Sequence, residues 1–196
     1  MQQGSDGTKI QTPASVDEIE VLAKGGVDRE VGLRAGCMAV DPKNGVPHLI
    51  YSVTENGEGR VVMAASDGKG GWTRVDLSAH LPEKLHGRDL IMAGGLSFSD
   101  SGRLHGAAQI QKAKEGESTW GNRSNESLRF VRDTDGGSWK FDFASEPDPN
   151  RSQWLPNIER ATGFNKVPER PGIIYTSGDP GEKNTDLLSN QVYWAG

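Results

Sequence analysis

The sequence predicts an all-β protein of propeller-type blades, each a small antiparallel sheet of four strands, with about three blades in 196 residues. Three observations predict it. Short segments rich in Val, Ile, Tyr, Phe and Trp alternate with Gly-, Asp- and Asn-rich turns, a strand-and-turn pattern. The segments recur in one order along the chain, and four strands per 45–65 residues or so is the size of a propeller blade. No stretch keeps a helical period for a useful length. Ser78–Leu90 has room for one turn, and its Pro82 argues against more.

The strands, A to D in each copy, follow in order. Gly36-Cys-Met-Ala-Val-Asp41 lies over Gly95-Leu-Ser-Phe-Ser-Asp100 as strand A, and each then reaches a Gly (Gly45, Gly102) and, three residues on, a histidine (His48, His105). For strand B, Pro47-His-Leu-Ile-Tyr-Ser52 lies over Pro171-Gly-Ile-Ile-Tyr-Thr176. Strand C is Arg60–Ser66, Ser127–Arg132 and Asn190–Ala195. Its nearly continuous apolar run Val61–Ala65 suits a strand covered on both faces. Strand D opens on a tryptophan, at Trp72 and at Trp139, and Arg74-Val-Asp-Leu77 and Lys140-Phe-Asp-Phe143 alternate as a half-exposed outer strand does. The second B–C connection, Ala113–Glu126, is extended, and the third copy ends on its strand C.

The expected organisation is a polar, flexible lead-in over 1–16 and one domain over 17–196. Its repeats run at about 31–78, 90–144 and 154–196, with 17–24 as a possible closing outer strand. A sandwich is the competing architecture. It does not require the same Asp-turn-Trp signature between the same two strands twice.

Composition narrows the function classes. Gly 26 and Pro 10 imply frequent turns, and 22 Lys+Arg against 27 Asp+Glu give a net charge of −5. That balance argues against nucleic acid or an anionic membrane surface as partner. No apolar run approaches the ~20 residues of a membrane span. The lead-in has no basic and apolar signal-peptide pattern. The single Cys37 forms no internal disulfide and reads as a small packed residue. Four histidines and one cysteine scattered over the chain make no metal-ligand set, and no cofactor is expected.

Ser66-Asp-Gly-Lys-Gly-Gly-Trp72 and Asp133-Thr-Asp-Gly-Gly-Ser-Trp139 sit between strands C and D. They resemble, with degenerate spacing, the Asp box of sialidase-like propellers with bacterial neuraminidase repeats. Asp41…Gly45-Val-Pro-His-Leu-Ile-Tyr51 and Trp154-Leu-Pro-Asn-Ile-Glu-Arg160…Pro171-Gly-Ile-Ile-Tyr175 resemble a divergent bacterial branch of that group, found beside polysaccharide lyases and hydrolases. The resemblance covers roughly residues 31–196. It implies that Asp67, Trp72, Asp135 and Trp139 are structural turn residues, the carboxylates holding the turn and the rings packing between blades. It also implies an extracellular or periplasmic setting.

The resemblance further places the ligand face at the D–A and B–C loops. Arg34, Arg88, Asp89, Asn157 and Arg160 then become candidates, with His80, His86, Trp154 and, on the B–C insert, Trp120. Arginines on neighbouring blades suit a sugar carboxylate. Trp120 and Trp154 are the candidates for stacking on sugar rings. His86 with Arg88 suits a lyase, His abstracting the proton and Arg neutralising a uronate. A sialidase needs an arginine triad, a Tyr–Glu nucleophile and an acid, and no complete set is present. His48 and His105 read as packed strand residues, although the third copy carries Gly172 there.

The expected partner is an acidic glycan or polysaccharide. The competing reading is a non-catalytic structural or protein-interaction module. Three blades fall short of the usual four to eight, so a homo-oligomer or the remainder of a longer propeller is expected to complete the ring. Trp72→Ala is expected to cost about 3–5 kcal/mol, and Arg88→Ala within about 0.5 kcal/mol.

Overall fold

The computed structural model describes residues 2–3, 9–10, 20–27, 30–113, 122–133, 136–179 and 189–196. β1 (Gln2–Gln3) and β2 (Lys9–Ile10) pair as a two-residue ribbon. Three antiparallel sheets follow, each a meander in chain order, and none closes into a barrel. Sheet I holds β3 (Val31–Val40), β4 (Pro47–Glu55), β5 (Glu58–Ser66) and β6 (Trp72–Asp76). Sheet II holds β7 (Arg88–Phe98), β8 (Leu104–Lys112), β9 (Glu126–Arg132) and β10 (Trp139–Phe143). Sheet III holds β11 (Ser152–Ile158), β12 (Ile173–Gly178) and β13 (Gln191–Ala195). The first strands β3, β7 and β11 are neighbours, β7 in the middle, so the sheets stack side by side like blades. The architecture is all-β and propeller-like.

Each first strand is broken by a bulge, at Ala35/Cys37, Ala93/Leu96 and Trp154/Asn157. A bulge bends and twists its strand. Here it lets the backbones of adjacent sheets approach closely. A Cβ on Gly94 would lie 2.2 Å from the Pro156 carbonyl oxygen, and one on Gly36 2.7 Å from Ala93 Cβ. Side chains are excluded from these contacts, which is why glycine stands there.

Between sheets I and II the packing is apolar. Ile50, Val61 and Met63 join Leu90, Leu96, Leu128 and Phe130 in one buried cluster. Leu77 and Leu85, from two short 3₁₀ turns at Leu77–His80 and Glu83–Leu85, close its edge. Asp76 Oδ1 caps the first turn, accepting from Ser78 N–H at 2.9 Å.

Between sheets II and III a smaller apolar cluster (Ala107, Ala144, Ile158, Ile173, Tyr175) adjoins a buried polar layer. Gln153 Oε1 accepts from Ser127 N–H at 3.0 Å while its Nε2 donates to Ser145 Oγ at 2.9 Å. Ser152 Oγ donates to the Asn122 carbonyl at 2.6 Å. The bulged Leu155, at φ 54°, donates its N–H to Gln109 Oε1 at 3.3 Å.

The expectation that 17–24 closes sheet III is corrected over the described residues 20–24, which form no strand. Leu22 accepts from Arg74 Nη2 at 2.9 Å, and Leu22 and Ala23 lie across Leu33, Tyr51 and Val53 of sheet I.

Candidate functional site

The turn from Ser66 to Trp72, between β5 and β6, is held by its own carboxylate. Asp67 Oδ1 accepts N–H bonds from Lys69 and Gly71, both at 2.8 Å, and Gly68 and Gly70 take φ of 70° and 89°. The Lys69 and Gly71 N–H groups, in that order, hold the exposed Asp67 carboxyl below its ordinary range. Trp72 is half-buried, so the cost expected for Trp72→Ala falls below that of a fully buried ring. Trp139 packs edge-on to Phe130 (5.9 Å), lies 6.2 Å from His80 of the preceding connection, and carries the Arg132 guanidinium at 5.2 Å. Its ring therefore lies among side chains of sheet II beside the connection from sheet I. Asp135 lies outside the described residues, as does Trp120.

The predicted ligand residues are not gathered into one site. Counted from the bulges, Arg34, Arg88 and Asp89 precede the bend of their strands, whereas Asn157 and Arg160 follow it, toward the opposite end of the sheets. Arg34 and Asn157 are exposed and Asp89 half-buried. Asn157 Oδ1 accepts from Ile158 N–H at 2.9 Å. Arg160 Nη1 reaches Cys37 Sγ at 3.0 Å, linking the third copy to the first. Trp154 corrects the expectation of an exposed stacking ring. It is only 2% exposed, paired with Thr176 immediately before the bulge.

His86 and Arg88 are held by different partners. His86 Nε2 lies 3.2 Å from the Leu81 carbonyl oxygen. Arg88 forms an ion pair with Glu126 and lies 5.7 Å over the Phe143 ring. The Glu126 carboxyl is pushed up by burial, which the Arg88 charge partly offsets. This corrects the mutational expectation for Arg88, since its loss strands a carboxylate whose side chain is only 14% exposed. Arg88→Ala should lower unfolding free energy by about 2 kcal/mol. Arg88→Ala together with Glu126→Gln should cost less than Arg88→Ala alone. Urea unfolding of both variants checks it.

A better-formed site lies on the face of sheet II turned toward sheet III, at the end bearing the A–B and C–D turns. It is a cleft of about 390 Å³ whose lining holds the cations Lys84, Arg103, Arg129, Lys140 and Arg170 against only two carboxylates, Asp142 and Glu169. His105 forms part of its wall, 3% exposed, and its Nε2 has no hydrogen-bond partner among the described residues.

Arg129, also buried, donates from Nη1 to the Pro171 carbonyl (2.5 Å) and from Nη2 to the Ala195 carbonyl (3.4 Å), and its Nε is unpartnered. Burial, then the neighbouring Arg170 charge, pulls the Arg129 pKa down. Arg103 is neutralised by Asp133 at 2.8 Å and Glu169 at 3.7 Å, Lys140 by Asp133 at 3.5 Å, and Lys84 by Asp142 at 3.5 Å. Ser101 Oγ donates to Glu169 at 2.9 Å, which holds that carboxyl low. Among the described residues no carboxylate pairs with Arg129 or Arg170. The arrangement offers converging N–H donors and uncompensated positive charge within an acidic chain.

Sequence reasoning missed this cleft because His105 reads as the twin of His48. His48 is indeed a packing residue, edge-on to Phe98 at 5.0 Å with Nδ1 3.1 Å from the Val46 carbonyl oxygen. The available signal was Gly172 at the third equivalent position, together with Arg103 two residues before His105 and Arg129 two residues before Val131, the strand partner of His105.

Burial, then the charges of Arg103 and Arg129, lower the His105 pKa to about 4. The folded imidazole is thus neutral at pH 5–6, where the unfolded chain takes up a proton near 6.5. Its contribution is intact above pH 6.5 and is lost as pH falls toward 4, by about 3 kcal/mol in all. Urea unfolding at pH 7 and pH 4.5 should show a steeper loss for the wild type than for His105→Gln.

The fold and cleft define an all-β protein of stacked propeller-like sheets with a cationic seam between the second and third. No protein-family model matches the chain, and no curated protein matches it. No helix among the described residues is long and apolar enough to cross a membrane. Among the same residues, no group of three or more His, Cys, Asp or Glu side chains is placed to hold a metal ion.

Proposed function

We propose that the protein recognises an acidic glycan, as the resemblance to sialidase-like propellers implies, and that the cleft facing sheet III takes the sugar carboxylate. One observation carries this reading. Arg129 and Arg170 stand beside each other with no carboxylate ion-paired to either among the described residues, next to a buried imidazole nitrogen that has no partner among them. A bound carboxylate relieves the like-charge repulsion between the two guanidinium groups. The role is binding rather than turnover, because the lyase pair His86 and Arg88 is divided between other partners.

Calorimetry with a uronate oligosaccharide and a neutral one of equal length tests the proposal. The acidic sugar should bind and the neutral one should not, and added salt should weaken the binding. Arg170 is exposed, so Arg170→Ala should leave stability unchanged and weaken binding at least about tenfold, or about 1.4 kcal/mol. Equal binding of both sugars, or an Arg170→Ala protein that binds like the wild type, would overturn it. The alternative of a protein-interaction module rests on a separate observation, the two open sheet faces considered next.

A further inference from the structure

The strand register shows that sheet III leaves bare, and sheet I leaves partly open beside residues 20–23, a face that is covered elsewhere in the chain, and we propose that two copies close head to tail into one six-sheet ring, sheet III of each seated in the groove of sheet I of the other. The register places Ile50 opposite Met63, Ala107 opposite Arg129 and Ile174 opposite Trp194. These pairs occupy equivalent places on the face turned toward the next sheet. In sheets I and II that face is covered, and Ile50 and Met63 are 2% and 3% exposed. In sheet III, Ile174 is 43% and Trp194 63% exposed, and Val192 on the same face is exposed as well.

The opposite faces show the converse. Ile173 and Tyr175 of sheet III are buried against sheet II. Their equivalents in sheet I, Leu49 and Tyr51, line an open groove of about 490 Å³ with Leu33, Ala35, Met38 and Leu22. The ridge Ile174–Val192–Trp194 and this groove match in apolar chemistry.

The occupant is a second copy because the chain itself carries both halves of the contact and mates the same two kinds of face twice internally. A heterologous contact either closes into a ring or runs on as a fibre. Propeller rings hold about four to eight sheets. One copy falls below that range, three copies exceed it, and two give six.

Sedimentation equilibrium of the full chain tests the inference, with an expected mass of twice the 21.1 kDa chain. Trp194→Glu on the ridge and Met38→Glu in the groove change exposed side chains. Each variant should keep the wild-type circular dichroism and weaken dimerisation at least about tenfold. An equimolar mixture of the two retains one intact ridge–groove contact, so it should form a 1:1 pair tighter than either variant alone. A monomeric wild type would overturn the inference and leave the faces to sheets from another source. Dissociation by Trp194→Glu but not by Met38→Glu would overturn it in favour of a ridge-on-ridge dimer.

Discussion

Replacing Trp154 with alanine is expected to lower the unfolding free energy by about 3–5 kcal/mol, read as a fall in the urea midpoint at unchanged slope. The indole is among the largest fully buried side chains and sits in β11, where sheet III meets sheet II. Its removal opens a cavity that the surroundings cannot fill. The bulge, with Leu155 at φ 54° tied to Gln109 Oε1, fixes the local backbone. Phe164, wholly exposed, is the matched control, and its alanine variant should stay within about 0.5 kcal/mol of the wild type. A loss below about 1 kcal/mol for Trp154→Ala would show that the ring is not part of the packed interior.

Gly94→Ala should be nearly as costly for the opposite reason. The added methyl group meets the Pro156 carbonyl oxygen at 2.2 Å and that of Ala107 at 2.8 Å. Both neighbours are backbone, so no rotamer change relieves the contact, and sheets II and III have to separate. Overpacking of this kind costs about 3 kcal/mol or more. Thermal unfolding checks it, with a melting temperature below that of the wild type. An unchanged one would mean that the two sheets are not in contact at β7 and β11.

The blade repeat was legible because it rests on local chemistry. The Gly/Asp turns, the Trp that opens β6 and β10, and the alternation in Lys140–Phe143 each act over a few residues. Strand boundaries followed closely, with β10 as expected and β3 and β7 longer at their starts. The bulges were not legible, and they decide the first strands. The burial of Trp154, which pairs with Thr176 just before its bulge, was not legible either. The cleft was hidden because Arg103, His105, Arg129 and Arg170 come from two strands and two connections that only the sheet stacking brings together. The Arg88–Glu126 pair spans 38 positions along the chain and joins β7 to β9 across β8.

The two internal seams differ in kind. The first is oily, and the second is threaded with glutamine and serine side chains, among which Ser127 Oγ lacks a partner among the described residues. Water can substitute for bonds of that sort at little cost, and it cannot substitute for the contacts of Leu96 with Phe130. Sheet III is therefore the unit that opens first in native-state hydrogen exchange, with the amides of β12 losing protection together and well before those of β8.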